Sequence, residues 1–244
     1  MATFKPRIWN GVPVPYDEPV GVLRDMAVGP GPEAWAAIRA LAEKPEAEAL
    51  AALVELAHSP DPYRRRAAVE AIGLHPSGRT ASEMVDRALQ DRDGPTVRTA
   101  AQAAANLGLD GAHDQVLSLV EASDEATRLV ALSALEALWR PSDFEAVFGR
   151  YRHDPCDEVR RQAAWTLHRH VDAEHWERVF SAWSVDPLPR HRVWACELAG
   201  RFGTGAIGPA LEALRADPDG HVRRAADQVA AGSDARRRDQ AAGG

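Results

Sequence analysis

Residues 154–168 read DPCDEVRRQAAWTLH: an Asp-Pro turn, an arginine at 160, then small and apolar residues at helical spacing. The same order recurs along the chain as RRAAVEAIG from Arg65, RTAAQAAAN from Arg98, RLVALSALE from Arg128, RVWACELAG from Arg192 and RRAADQVAA from Arg223. Subtracting successive positions places the six arginines 33, 30, 32, 32 and 31 residues apart. Three residues after each comes alanine without exception: Ala68, Ala101, Ala131, Ala163, Ala195 and Ala226. Seven residues after each comes Ile72, Ala105, Leu135, Leu167, Ala199 or Ala230. Offsets of three, four and seven fall on one stripe of an α-helix, and alanine there lets a neighbouring helix approach closely. A fixed period near 32 residues is the mark of a stacked array.

A second register runs between these helices. Its first members, Leu50, Ala81, His113, Phe144, Trp176 and Ile207, each open an i, i+3, i+4, i+7 set, as in Phe144, Val147, Phe148, Tyr151. Two interleaved registers with one period predict one helical hairpin per repeat. Asp-rich turns such as SPDPY at 59–63, DPLPR at 186–190 and DPDGH at 217–221 separate the repeats; Asp caps a helix start and Pro is tolerated in its first turn. Extending the pattern backwards makes PEAWAAIRALAE, from Pro32, a first copy without the arginine. The expectation is an all-α fold of six two-helix repeats plus a final helix near 219–231.

The stretches DPCDEVRRQAAWTLH and DGPTVRTAAQAAANLG, from Asp93, resemble the short HEAT-like repeats of the phycobilisome-lyase type. The resemblance covers residues 32–231. It implies an α-α superhelix, a HEAT-repeat solenoid, with first helices on the outer surface and second helices lining the concave one. It also implies that Arg65, Arg98, Arg128, Arg160, Arg192 and Arg223 form a structural ladder, each guanidinium binding turn aspartates or carbonyls nearby. Residues 1–31 break the pattern, with apolar side chains interleaved with Pro6, Pro13, Pro15, Pro19 and Pro30; they read as a non-repeat N-terminal cap, with a turn at WNGV and a short helix after Asp17. Residues 232–244 read as a disordered polar tail.

Composition narrows the function. A formal net charge of −7 argues against holding nucleic acid through its phosphates, which needs an excess of Lys and Arg. No apolar stretch reaches membrane-spanning or signal-peptide length, so a cytoplasmic protein without membrane association is expected. Cys156 and Cys196 lack metal-binding spacing and read as reduced, packed thiols. The segment HRHVDAEHW at 168–176 is the densest set of metal-type side chains, yet the repeat register divides it into a helix end, a turn and a helix start, and no established ligand spacing is met. No catalytic group, cofactor or metal is assigned.

Trp165 stands out among the aromatics. It falls five residues after its arginine, where other repeats carry Arg39, Glu70, Ala103, Ser133, Glu197 and Gln228, so it is a candidate exposed anchor for a partner. Trp139, Arg140, Arg150, Glu177 and Arg178 complete the candidate contact set, while Trp176 and Trp183 fall in the core register. The expected function is a non-enzymatic protein-protein interaction scaffold, whether adaptor, assembly factor or inhibitor, that binds a protein along the concave face. The alternative is a HEAT-like-repeat nucleic-acid-binding protein or alkylpurine DNA glycosylase, which a mixed-charge groove disfavours.

Overall fold

A computed structural model of the chain describes residues 8–9, 11–203 and 207–242, with side chains through Gly232. Two short strands, β1 (Ile8–Trp9) and β2 (Val12–Pro13), pair antiparallel, with Gly11 at φ 80° between them; Asn10, in the expected turn, lies outside the described residues, as do residues 1–7 of the N-terminal segment. Helix α1 (Val20–Ala27) follows and packs on the first two repeat helices, α2 (Pro32–Leu41) and α3 (Ala47–Leu56).

Ten further helices continue the alternation: α4 (Pro62–Leu74), α5 (Ser82–Ala88), α6 (Gly94–Leu107), α7 (His113–Ser118), α8 (Glu125–Leu138), α9 (Phe144–His153), α10 (Asp157–His170), α11 (Trp176–Trp183), α12 (Pro189–Phe202) and α13 (Gly208–Arg215). The last, α14, runs Gly220–Ala242 and so continues well past 231, where the sequence suggested an unstructured tail. Its DARRRDQAA end holds no Gly or Pro and is rich in Ala, Arg and Gln, all good helix formers. From α2 to α14 the first and second registers alternate, and each second helix packs chiefly on the first helix that follows it, α3 on α4, α5 on α6, α7 on α8, α9 on α10, α11 on α12 and α13 on α14. The fold is an all-α HEAT-type repeat solenoid.

Local chemistry sets each helix start. The carboxylates of Asp61, Asp93 and Asp124 accept from the backbone N–H of Tyr63, Thr96 and Thr127 at 2.9–3.0 Å. Pro62, Pro95 and Pro189 sit in first turns, where the missing N–H has no partner to lose. The six repeat alanines, Ala68, Ala101, Ala131, Ala163, Ala195 and Ala226, are completely buried, as the stripe requires. From the second register, Leu53, Val85, Val116, Val147, Val179 and Trp183 are buried to the same degree.

The chain divides into two compact units, Met1–Trp139 and Arg140–Gly244. In the first, α2, α4, α6 and α8 pack on one another in succession, whereas α3, α5 and α7 mainly touch the first helices of their neighbourhood. The approach is closest between α4 and α6: a Cβ on Gly73 would lie 2.7 Å from the Ala103 Cβ and 2.8 Å from its Cα. The first helices of this unit therefore stand side by side, which their alanine and glycine stripes allow.

Candidate functional site

The repeat arginines define the frame on which the site is built. Arg65 Nη1 donates to the carbonyls of Ser59 and Pro60 in its own turn, while Nε and Nη2 donate to Asp91 in the next turn, both at 2.8 Å. Arg192 repeats the pattern with Asp186 O, Pro187 O and Asp217. Arg98 reaches Asp124 at 3.3 Å; Arg128 grips the Ala122 and Ser123 carbonyls, and Arg223 those of Asp217 and Pro218. The receiving aspartates also accept a turn amide, Asp91 from Asp93 N and Asp217 from Asp219 N, at 2.8 Å. Hydrogen bonds from Arg65 and Arg192, ahead of the turn amides, hold Asp91 and Asp217 below the usual carboxylate range against their burial.

One rung differs. Asp186, 26 residues after Arg160 by subtraction, is placed to receive that arginine, yet its Oδ2 accepts from Tyr151 Oη at 2.6 Å and lies 3.1 Å from His191 Nδ1. Burial pushes the Asp186 carboxyl up, but the His191 ring beside it and hydrogen bonds from Tyr151 and Leu188 N outweigh it and hold it low. Burial, then the hydrogen bond to Asp186, drives the Tyr151 phenol far above its ordinary value. Arg160 keeps the Asp154 carbonyl of its own turn and swings its other Nη onto Asp157.

Above this rung the space between α10 and α12 is filled by rings. Trp165 and Trp194 lie 5.8 Å apart between centroids; His168 stacks on Trp194 at 4.7 Å; Trp183 and His191 sit beneath, 5.7 and 5.3 Å from Trp194. His168 occupies the repeat position held by Gly73 in α4 and Gly200 in α12, so α10 and α12 meet through aromatic side chains and stand less close than α4 and α6. His168 Nε2 lies 2.7 Å from Glu197 Oε2. Burial pulls the His168 pKa below its ordinary value against the pull of Glu197, so the ring is neutral at neutral pH. Burial raises the Cys196 thiol to about 12, which leaves it inert as a nucleophile.

Trp165 is 38% exposed, with Arg169 at 5.7 Å from its ring centroid; Arg190 lies 6.0 Å from that of Trp194. The other candidate contact residues scatter. Trp139 is half-buried at the end of α8, and Arg140 is exposed with its N–H on Asp143 at 2.9 Å. Arg150 pairs with the buried Asp154 at 3.4 Å. Glu177 and Arg178 are exposed on α11; Arg178 lies 4.7 Å over Phe148 and donates to Glu145 at 3.0 Å, beside an open groove of about 720 Å³ along α9 and α11. The missed signal was an offset of 29. Trp165 with Trp194 and His168 with Glu197 both follow it, a repeat less one turn, which is how stacked first helices align.

The histidines of HRHVDAEHW part company. His168 goes to Trp194 and Glu197, while His175 stacks on Phe144 at 4.0 Å and lies 2.8 Å from Asp172 Oδ1. Among the described residues no three metal-type ligands converge. Chelator is accordingly expected to leave the melting temperature of the wild-type chain unchanged; a chelator-induced fall that His170→Ala abolishes would reveal a structural ion.

These features define an α-helical repeat protein of the stacked-hairpin class, and no helix among the described residues is long and apolar enough to cross a membrane. The chain belongs to the HEAT-repeat family, whose model matches residues 31–106 and 144–231. Solved structures with a similar fold include an engineered protein at 18% identity and TM-score 0.57, covering 88% of this chain and 68% of that one. Also similar are a designed armadillo repeat protein in complex with the peptide (KR)4, at 18% identity and TM-score 0.48 over 88% and 99% of the two chains, and the CpcE and CpcF complex of phycocyanin lyase from Nostoc sp. PCC7120, at 18% identity and TM-score 0.45 over 88% and 81%. No curated protein matches the chain in sequence.

Proposed function

We propose that the chain is a non-enzymatic protein-interaction scaffold that holds a protein partner against the first-helix face of its second unit. The observation that carries this reading is Trp165: a large aromatic ring left 38% exposed, backed by Trp194 and His168, on a face that other repeats furnish with small or polar residues. A rigid, half-sunk indole is the kind of side chain that anchors protein interfaces, because it buries much area at little entropic cost. HEAT-type hairpins, with their long continuous faces, support the same reading. Exposed carboxylates of Glu158 and Glu197 among the arginines favour a protein over a phosphate backbone.

The experiment is affinity capture on the tagged full chain from cells that express it naturally, followed by mass spectrometry. A partner retained by wild type is expected to be lost with Trp165→Ala and kept with Arg178→Glu, which lies on the second-helix face. A captured set that ignores Trp165→Ala and disappears with Arg178→Glu would move the interface to the α9–α11 groove.

A further inference from the structure

The broken rung at Arg160 lies at one end of the aromatic groove. Its guanidinium does not reach the aspartate of the next turn, because Tyr151 and His191 already occupy Asp186. In its place Arg160 holds Asp157, whose side chain is 64% exposed. An exposed pair of this kind contributes little to stability, so an incoming carboxylate can replace Asp157 at small loss. An open cleft of about 350 Å³ sits at this point, lined by Arg152, Arg160 and Arg161, by the carboxylates of Asp157 and Asp186, and by Leu188 and His191. Leu188 is 42% exposed, and Arg161 is half exposed, held only by Glu158 of its own helix. Arg161 lies one helical turn before Trp165 on α10, and His191 in the cleft wall stacks on Trp194, so the cleft and the Trp165–Trp194 pair are neighbours.

Charge along this groove runs opposite to that of the whole chain. Arg152, Arg160, Arg161, Arg169, Arg190 and Arg201 face four carboxylates, those of Asp157, Glu158, Asp186 and Glu197. Six guanidinium groups against four carboxylates leave this surface net positive. The chain as a whole is at −7. A local cationic excess beside an exposed indole, on an anionic protein, selects an anionic segment with an apolar anchor. Guanidinium pairs with carboxylate in two parallel hydrogen bonds, which also fixes the register of the bound chain.

We infer that the cleft at Arg160, together with the Trp165 and Trp194 rings beside it, takes an acidic, extended segment of a protein partner, with one Asp or Glu carboxylate seated on Arg160 and Arg161 and an apolar side chain lying on Trp165 and Trp194. This rests on the interaction reading above and adds the chemical class of the partner. A nucleic acid fits the surface less well, because the carboxylates of Asp157, Glu158 and Glu197 repel a phosphate chain.

The test is selection of a phage-displayed library of random dodecapeptides on the full chain, followed by fluorescence anisotropy of the enriched peptides. Acidic sequences with Trp, Phe, Leu or Pro between the carboxylates are expected to dominate. Their Kd should rise about tenfold or more with Trp165→Ala. It should rise similarly with Arg161→Glu and with Arg152→Glu, while the melting temperatures of these surface variants stay near wild type. Raising salt from roughly 50 mM to roughly 300 mM should weaken binding by screening. Enrichment of basic or neutral peptides that still depend on Trp165 would overturn the charge class while sparing the interaction surface. Peptides indifferent to Trp165, the absence of any enriched peptide, or displacement of the peptide by oligothymidylate at equal concentration would overturn the inference itself.

Discussion

Gly78→Ala is expected to destabilise the first unit by about 3 kcal/mol, at the upper end of what a single added methyl does in a packed site. A Cβ at this position would lie 2.1 Å from the backbone oxygen of Ile72 and 2.9 Å from the Leu107 Cδ2. The leucine can turn away, but the carbonyl cannot. It belongs to the last turn of α4, where it accepts from His75 N, and the chain then doubles back so that Gly78 N donates to His75 O at 2.9 Å. Relief requires opening the reversal that sets α5 against α4. Gly111, in the reversal of the next hairpin, provides the control: nothing lies within 4 Å of its added Cβ, so Gly111→Ala is expected to change stability by less than about 0.5 kcal/mol. Urea denaturation of the two variants beside wild type measures both numbers. Equal effects at 78 and 111 would show that the close approach at Ile72 has no energetic weight.

Arg192→Ala is expected to remove about 3 kcal/mol at neutral pH, because it strips a bidentate partner from a carboxylate that stays largely buried. The side chains of Arg192 and Asp217 are only 12% and 7% exposed, and the guanidinium also holds two turn carbonyls. The loss depends on pH in a defined direction. Arg192 holds the Asp217 carboxyl below its ordinary value of 3.8, so the stabilisation is fully present above that value and fades as pH falls through the lower, folded-state one. The gap between wild type and variant should therefore narrow below about pH 4, when the carboxyl is neutral in both. Denaturant melts near pH 7 and near pH 3 test it; a gap of equal size at the two values would assign the effect to lost packing and carbonyl contacts alone.

The frame was legible because it is periodic. Six alanines at one offset from six arginines can be seen in a single sequence, and all six prove completely buried. The alternation of helices followed from two registers sharing a period, and helix starts from Asp and Pro chemistry that acts within four residues, whereas the pairing of each second helix with the first helix after it did not. The site was less legible because it is assembled across repeats and consists of departures from the period. Trp165 was visible as an odd residue in its column. That Trp194, at a different column of the next repeat, would meet it, and that His168 in a glycine column would wedge between helices, depends on the stacking offset. The closeness of the α4 and α6 approach also escaped: small residues on the first helices matter through how far they let two axes approach, a quantity the hydrophobic pattern does not contain. Likewise, the diversion of Asp186 to Tyr151 and His191 needs three residues from three elements to be seen together.

The indoles of Trp165, Trp194 and Trp183 lie in contact, with successive centroids 5.8 and 5.7 Å apart. At that separation their electronic transitions couple, so the three rings act as one chiral chromophore. The second unit thus contains its own optical reporter: a circular dichroism couplet is expected in the strong far-ultraviolet indole band while α10, α11 and α12 keep their mutual placement, and its loss would register any event that parts them without an attached label.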